Sequence, residues 1–405
     1  MSTAARSQEE IGRDNSEALR LVREVSVDVG PRLAGSAEEA AAAGWLAANL
    51  EKAGFETTVE PFATPSSFAL AYGLLAILSL VAFVVAFVLP LAAAVIGLVA
   101  VGLLFAENLT IECASRLVPR VTSRNVIGRR TAQGEAKRTV VVTAHIDSAR
   151  AGVVFHPHMV KAFRVLFVLM VAGMVLIPIV SILQEFGAPT TMLYAAAPFA
   201  AHLLVCLGIL AHQHFLAPVV PGASDNASGV AALVLVARAL PHLEATDVWI
   251  VGTGAEEAGL VGMLRLLQKH RFDRPTTYFL NIDSVASPKL RFNSSEGMLI
   301  TRAADAHLLE VAGDAAEKAD IEVTVAPARV ISSDAVVALM RSYRVMTISA
   351  ESTAHWHWPT DVVDNVAPDG PANAAYVATE TIRTLDREAA GGQRAPVEQG
   401  AANRA

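Results

Sequence analysis

Residues 139–148 read Thr-Val-Val-Val-Thr-Ala-His-Ile-Asp-Ser. The run Thr139 to Ala144 keeps almost no position for water, as expected of a strand buried on both faces. It leads into His145-x-Asp147, and side chains two apart on an extended chain face the same way, so this imidazole and carboxylate can touch. Three further apolar runs repeat the pattern: Val248 to Thr253, Thr277 to Ile282 and Val345 to Ile348. Helical segments separate them, over Ala227 to Leu240, Gly259 to His270, Ala303 to Lys318 and Ala372 to Asp386. Upstream, a helix capped by Asn15 or Ser16 runs through Leu19, Leu21 and Val22. An alanine-rich helix follows from about Glu38 to Ala53 and stops at Gly54, then come strands Phe55 to Phe62 and Ser123 to Gly128. Strand and helix alternate, so the expected fold is an α/β three-layer sandwich with a mostly parallel central sheet.

The composition adds a second component. Of 405 residues, 53% are hydrophobic and only 18% charged, far too apolar for a disordered chain and unusual for a soluble domain. A net charge of −7 leaves no basic footprint for nucleic acid. The only cysteines, Cys113 and Cys206, cannot build a disulfide framework or a cysteine metal site. The apolar excess is concentrated: no Asp, Glu, Lys or Arg occurs from Pro61 to Ala106, and only Glu185 between Val165 and Ser224. A bilayer needs roughly 20 apolar residues per helix. Phe68 to Leu89 and Leu91 to Ala106 make one transmembrane helical hairpin, with Pro90 at its turn; Phe163 to Leu183 and Thr191 to His212 make another.

The expected organisation is therefore a domain in pieces. Residues 1–67, 107–162 and 213–387 form its three parts, 68–106 and 163–212 are transmembrane hairpins, and 388–405 is a disordered tail. Each hairpin returns the chain to its starting side. Arg116, Arg120, Arg124, Arg150, Lys161 and Arg164 flank that side and the short connections carry no basic residue, so the domain is expected on the cytoplasmic face of the cell membrane. The first residues lack the apolar core of a secretory signal, which agrees with that orientation.

Chemistry gathers near predicted strand ends. After His145-x-Asp147 come Gly222-Ala223-Ser224-Asp225-Asn226-Ala227-Ser228-Gly229, where small residues surround one aspartate, and Gly254-Ala255-Glu256-Glu257-Ala258-Gly259. Adjacent carboxylates at a buried strand end are costly unless a cation compensates or one holds a proton. Asn281-Ile282-Asp283-Ser284 and His355-Trp356-His357-Trp358-Pro359-Thr360-Asp361 complete the set. His145, Asp225, Glu257, Asp283 and His357 supply two imidazoles and three carboxylates. That mix suits two divalent cations bridged by one carboxylate, zinc first among them, at the carboxyl edge where α/β sheets collect ligands.

In this order and spacing the motifs resemble the M28 zinc metallopeptidases. The resemblance starts at Gly30-Pro31-Arg32-Leu33-Ala34-Gly35-Ser36 and the helix ending Leu50-Glu51-Lys52-Ala53-Gly54-Phe55, and runs to Pro359-Thr360-Asp361. It implies a zinc exopeptidase-like fold and hydrolysis of peptide substrates, with aminopeptidase activity expected. It further implies that Asp225 bridges two zinc ions, that His145 and Asp283 complete one, and that Glu257 and His357 complete the other. Glu256 is then the general base, and Asp147 orients His145. The family has Thr after its final histidine where this chain has Trp358, so His357 is preferred over His355 on the Pro359 to Asp361 register. The second hairpin replaces a loop that is short in soluble relatives, and His156, His158, His212 and His214 beside it read as interfacial side chains. Other readings are an inactive membrane scaffold, a glutaminyl-cyclase-type acyltransferase, and an exopeptidase acting on carboxyl termini.

Overall fold

A computed structural model describes residues 7–328, 332–351 and 354–391. The chain opens with α1 (Gln8–Arg23), α2 (Ala37–Lys52) and β1 (Glu56–Pro65), then two apolar helices, α3 (Phe68–Val85) and α4 (Pro90–Asn108). Strands β2 (Arg120–Arg130) and β3 (Arg138–His145) precede the second apolar pair, α5 (Phe163–Glu185) and α6 (Leu193–Phe215). The remainder is α7 (Gly229–Ala239), β4 (Thr246–Thr253), α8 (Val261–Lys269), β5 (Thr277–Ile282), β6 (Leu290–Glu296), β7 (Arg302–Ala303) and α9 (Ala306–Lys318). It closes with β8 (Val323–Ala328), α10 (Ala335–Leu339), β9 (Arg344–Ala350) and α11 (Asp369–Ala389).

The strands form one sheet in the order β1-β2-β4-β3-β5-β9-β6-β7, with β8 also on β6. Its centre, β4-β3-β5-β9, is parallel. The expectation of a mostly parallel sheet needs correction, because β1–β2, β2–β4, β6–β9 and β6–β7 are antiparallel. The sheet is mixed. Parallel neighbours need helical crossovers, which α7, α8 and the later helices supply at the centre and α9 supplies between β6 and β8, also a parallel pair. On β3, Val140 and Val142 face the core under α1, α2, α7, α9 and α11, whereas Val141 faces α8 and α10. That alternation makes three layers and explains why the strand reads as unbroken apolar sequence.

Two element ends differ from expectation for local reasons. Helix α1 begins at Gln8, not near Asn15, because Ser7 and Glu10 form a reciprocal capping box. Helix α11 runs through Ala389, held at its end by Glu388, which pairs with Arg138 and His307. The rest of the tail expected to be disordered, from residue 392, lies outside the described residues.

The apolar helices match the expected hairpins closely. Four segments are long and apolar enough to cross a membrane: Phe68–Val85, Pro90–Asn108, Val160–Glu185 and Thr190–Phe215. Helix α3 packs on α4 and α6, and α5 on the same two, closing a four-helix bundle. Small residues allow close approach: a side chain at Gly97 would meet Pro178 at 2.9 Å. The outer surface stays apolar, with Val88 79% and Phe186 85% exposed. The α5–α6 insertion leaves and re-enters through a short paired stem, where Val220 N–H donates to Ala149 O and Ala151 N–H to Pro218 O, both at 2.9 Å.

Candidate metal centre

The parallel registers bring the expected residues together. His145 ends β3 opposite Thr253, the last residue of β4. From there the chain turns through Gly254 and Ala255 to Glu256 and Glu257. Thr143 lies opposite Asn281 on β5, so Asp283 emerges level with His145. Asp225 comes from the turn before α7, and His357 from the loop after β9. One oxygen of Asp225, Oδ1, lies 3.0 Å from His145 Nε2, while Oδ2 lies 3.0 Å from His357 Nε2. His145 Nε2 is 3.8 Å from Asp283 Oδ1, and His357 Nε2 is 2.9 Å from Glu257 Oε1. Three overlapping groups result, each with its nitrogen and oxygen atoms within 4.8 Å of one another: His145, Asp225 and Asp283; Asp225, Glu257 and His357; and His145, Glu256 and Glu257. His355 is elsewhere, with its Nδ1 2.8 Å from Thr360 Oγ1 at the surface.

Hydrogen bonds fix these side chains. The Asp147 carboxylate accepts the backbone N–H of Glu256 on Oδ1 and of Glu257 on Oδ2, both at 3.1 Å. Its backbone oxygen lies 3.2 Å from His145 Nδ1, nearer than its carboxylate at 3.6 Å. With Nδ1–H donating to that carbonyl, Nε2 presents its lone pair to the cluster. Asp361, quoted in the motif but given no role, accepts the N–H groups of Ser224 and Asp225 at 2.6 and 3.1 Å. Asn226 braces the opposite wall, donating to Ile282 O at 3.0 Å and accepting from Ser284 N–H at 3.1 Å.

Arg32 is wholly buried below the site and donates to the carbonyls of Ile146, Pro221 and Gly222 at 2.8–3.1 Å, and also to Val25 and Gly30. Gly222 needs its lack of a side chain: its φ is +59°, and a β-carbon would sit 2.4 Å from Asp225 O. Ala255, Ser284 and His357 also have positive φ, a conformation that costs L-residues about 1–2 kcal/mol and clusters at functional sites.

The electrostatics favour positive charge within the cluster. Burial opposes charge on His145, yet the charge of Glu256 and contacts with Asp147, Asp225 and Asp283 hold its pKa well above the usual imidazole value. Burial likewise disfavours charge on His357, but Glu257 and Asp225 raise it to about 10. Burial would raise the Asp225 pKa, and the two imidazoles overcome it and hold that carboxyl below its usual range. Burial is the first cause pushing Glu256 and Glu257 upward. Glu257 Oε1 and His357 Nδ1 are buried with no aligned hydrogen-bond partner. Imidazole nitrogens among surplus buried carboxylates fit divalent metal and suit zinc.

Beyond the expected residues, Asp334 is buried and takes a hydrogen bond from Thr253, with burial raising its pKa to about 7. Phe155 and Trp356 wall the site, their ring centroids 4.8 Å apart. Trp358 packs on His156 of the insertion at 4.9 Å. Among the described residues, His156, His158, His212 and His214 join none of the metal-type groups.

Residues 207–382, which hold Asp225, Glu256, Glu257, Asp283 and His357, match the profile of peptidase family M28. That segment is similar to the M28 peptidases. No curated protein matches the chain. Among solved structures, the chain is similar to a zinc aminopeptidase from Bacillus subtilis at 16% identity and TM-score 0.54, covering 91% of this chain and 94% of that one. An aminopeptidase from Aneurinibacillus sp. strain AM-1 gives 14% and 0.56, with 93% and 95% covered. A glutaminyl cyclase from an Acidobacteriales bacterium gives 13% and 0.54, with 96% and 98% covered. At these identities the likeness establishes the fold, that of the zinc exopeptidases. His145 and Asp147 lie before the matched M28 segment, and the folded sheet joins them to it.

Proposed function

We propose that this chain is a membrane-anchored metallopeptidase that hydrolyses peptide bonds with two zinc ions, as an aminopeptidase. The supporting observation is the placement of Asp225, with one oxygen toward each imidazole. In this reading His145 and Asp283 would hold one zinc, Glu257 and His357 would hold the other, and Asp225 would serve both. Bound zinc supplies Lewis acidity, polarising a carbonyl and acidifying water. Glu256 takes the proton of the attacking water and hands it to the leaving amine. Burial and the neighbouring carboxylates push its pKa above the usual carboxyl value. Asp147 clamps the Glu256–Glu257 backbone, which fixes the distance between base and ligand.

The anchoring reading rests on the four long, apolar helices and their exposed hydrocarbon surface. Basic residues flank the domain side, so the peptidase faces the cytoplasm. Both readings are testable on full-length protein in detergent and in cells. Metal analysis with a panel of aminoacyl substrates should find zinc and release of the first residue; trimming from the carboxyl end, or ammonia release from N-terminal glutamine, would replace the aminopeptidase assignment. A cysteine placed at Gly187 should react with an impermeant maleimide outside intact cells, and reaction only after lysis would reverse the orientation.

A further inference from the structure

One cavity of ≈ 370 Å³ runs from the metal centre into the bundle. At one end lie His145, Asp225, Glu256 and His357, with Phe155 and Trp356 beside them. At the other, its walls are Ala71 of α3, Leu166 and Met170 of α5, and Val205 and Ile209 of α6. Counted from Phe163 to Met170 and from Gln213 back to His202, it enters the bundle by roughly 10–16 Å. Several polar groups of the cavity wall are engaged by the protein itself. His202 Nε2 lies 3.0 Å from Leu166 O, Asn108 Nδ2 donates to Leu104 O at 2.9 Å, and Glu107 accepts from Cys113 and Ser115. A peptide threaded here would bring an N–H and a C=O per residue to a wall with few partners, and each bond left unmade opposes its binding. A hydrocarbon chain brings none.

We infer that the substrate is an amphiphile whose scissile amide sits at the metal centre while its hydrocarbon chain lies between the apolar helices. This rests on the hydrolase reading above. In the reaction the amide C–N bond breaks, water oxygen joins the carbonyl carbon, and a proton passes to the departing nitrogen, giving a carboxylate and an amine. The chain can belong to either side of the amide, as a long-chain amine or as a fatty acid.

The test uses full-length protein in detergent with two readouts. The first is binding of dodecylamines dibrominated either at carbons 3 and 4 or at the chain end, followed by quenching of Trp356 fluorescence, which should be strong for the first probe and weak for the second because Trp356 lies at the metal end of the cavity. Quenching that disappears in Trp356→Phe is expected; undiminished quenching in that variant, or no quenching in the wild type, overturns the inference. The second is kcat/KM for leucyl-alkylamides and for N-acyl-leucines, with chains of about two to sixteen carbons. A rise of roughly three- to fourfold per methylene before a plateau is expected in one series, and which series rises identifies the side that carries the chain. Ala71→Trp should lower the ratio of long-chain to short-chain kcat/KM. Cleavage indifferent to chain length, or faster cleavage of an apolar peptide than of any alkylamide, overturns the inference and leaves the hydrolase reading standing. Quenching assigned to Trp356 with no cleavage of any amide supports the cavity assignment and overturns the hydrolase reading.

Discussion

The rings of Phe155 and His357 meet edge to face, with centroids 4.5 Å apart. Phe155 belongs to the segment that leads into the second pair of apolar helices, and His357 to the M28 motif. The insertion therefore forms part of the wall of the candidate metal centre, which explains how a chain departure so close to Asp147 leaves the cluster intact. Phe155→Ala is expected to cost about 3–5 kcal/mol of stability, because the ring is 3% exposed and its loss opens a void beside a candidate ligand. Thermal unfolding in detergent checks this, and an unchanged midpoint would show that the insertion does not support the site.

Glu256→Gln preserves shape and removes the base. Metal content should stay at the wild-type level while kcat falls by about 10²–10⁴-fold. Elemental analysis beside steady-state kinetics separates the two effects, and full turnover with metal retained would remove Glu256 from its role.

Asp361 acts through Asp225, accepting the N–H of Ser224 and of Asp225. Asp361→Ala should weaken metal binding by about 10–100-fold, the usual effect of losing a partner that orients a ligand. Competition with a calibrated chelator measures it, and unaltered affinity would mean the turn holds Asp225 unaided.

The protonated imidazoles give the pH dependence its sign. His357, raised to about 10, carries a proton through neutral pH in the metal-free cluster, and His145 is shifted in the same direction. A metal must displace those protons, so loading near pH 8 should release protons, and affinity should fall as pH is lowered. Calorimetry in two buffers of different ionisation enthalpy reads the release directly; equal heats in both would contradict it.

Much of this was legible in the sequence because the signals were one-dimensional. The parallel centre of the sheet announces itself as apolar runs, since β3 and β5 are buried on both faces. Charge-free stretches of two helix lengths marked the hairpins, and the five metal-type residues sat beside strand ends. What escaped depends on pairing across the chain. Strand β6 carries Arg291, Asn293 and two serines, and β8 contains Pro327, so neither has an apolar strand signature. Arg32 and Asp361 were visible as residues, but the partners that tie them to the site lie 114 to 190 positions away. The Ser7-x-x-Glu10 capping box was readable and would have placed the start of α1.

The sharpest measurement is the metal content of the purified, detergent-solubilised full chain beside that of Asp225→Ala. Two zinc ions per wild-type chain and none in the variant are predicted, because one carboxylate faces both imidazoles. A wild-type chain that binds no zinc, or a folded Asp225→Ala that keeps both ions, would contradict the shared centre.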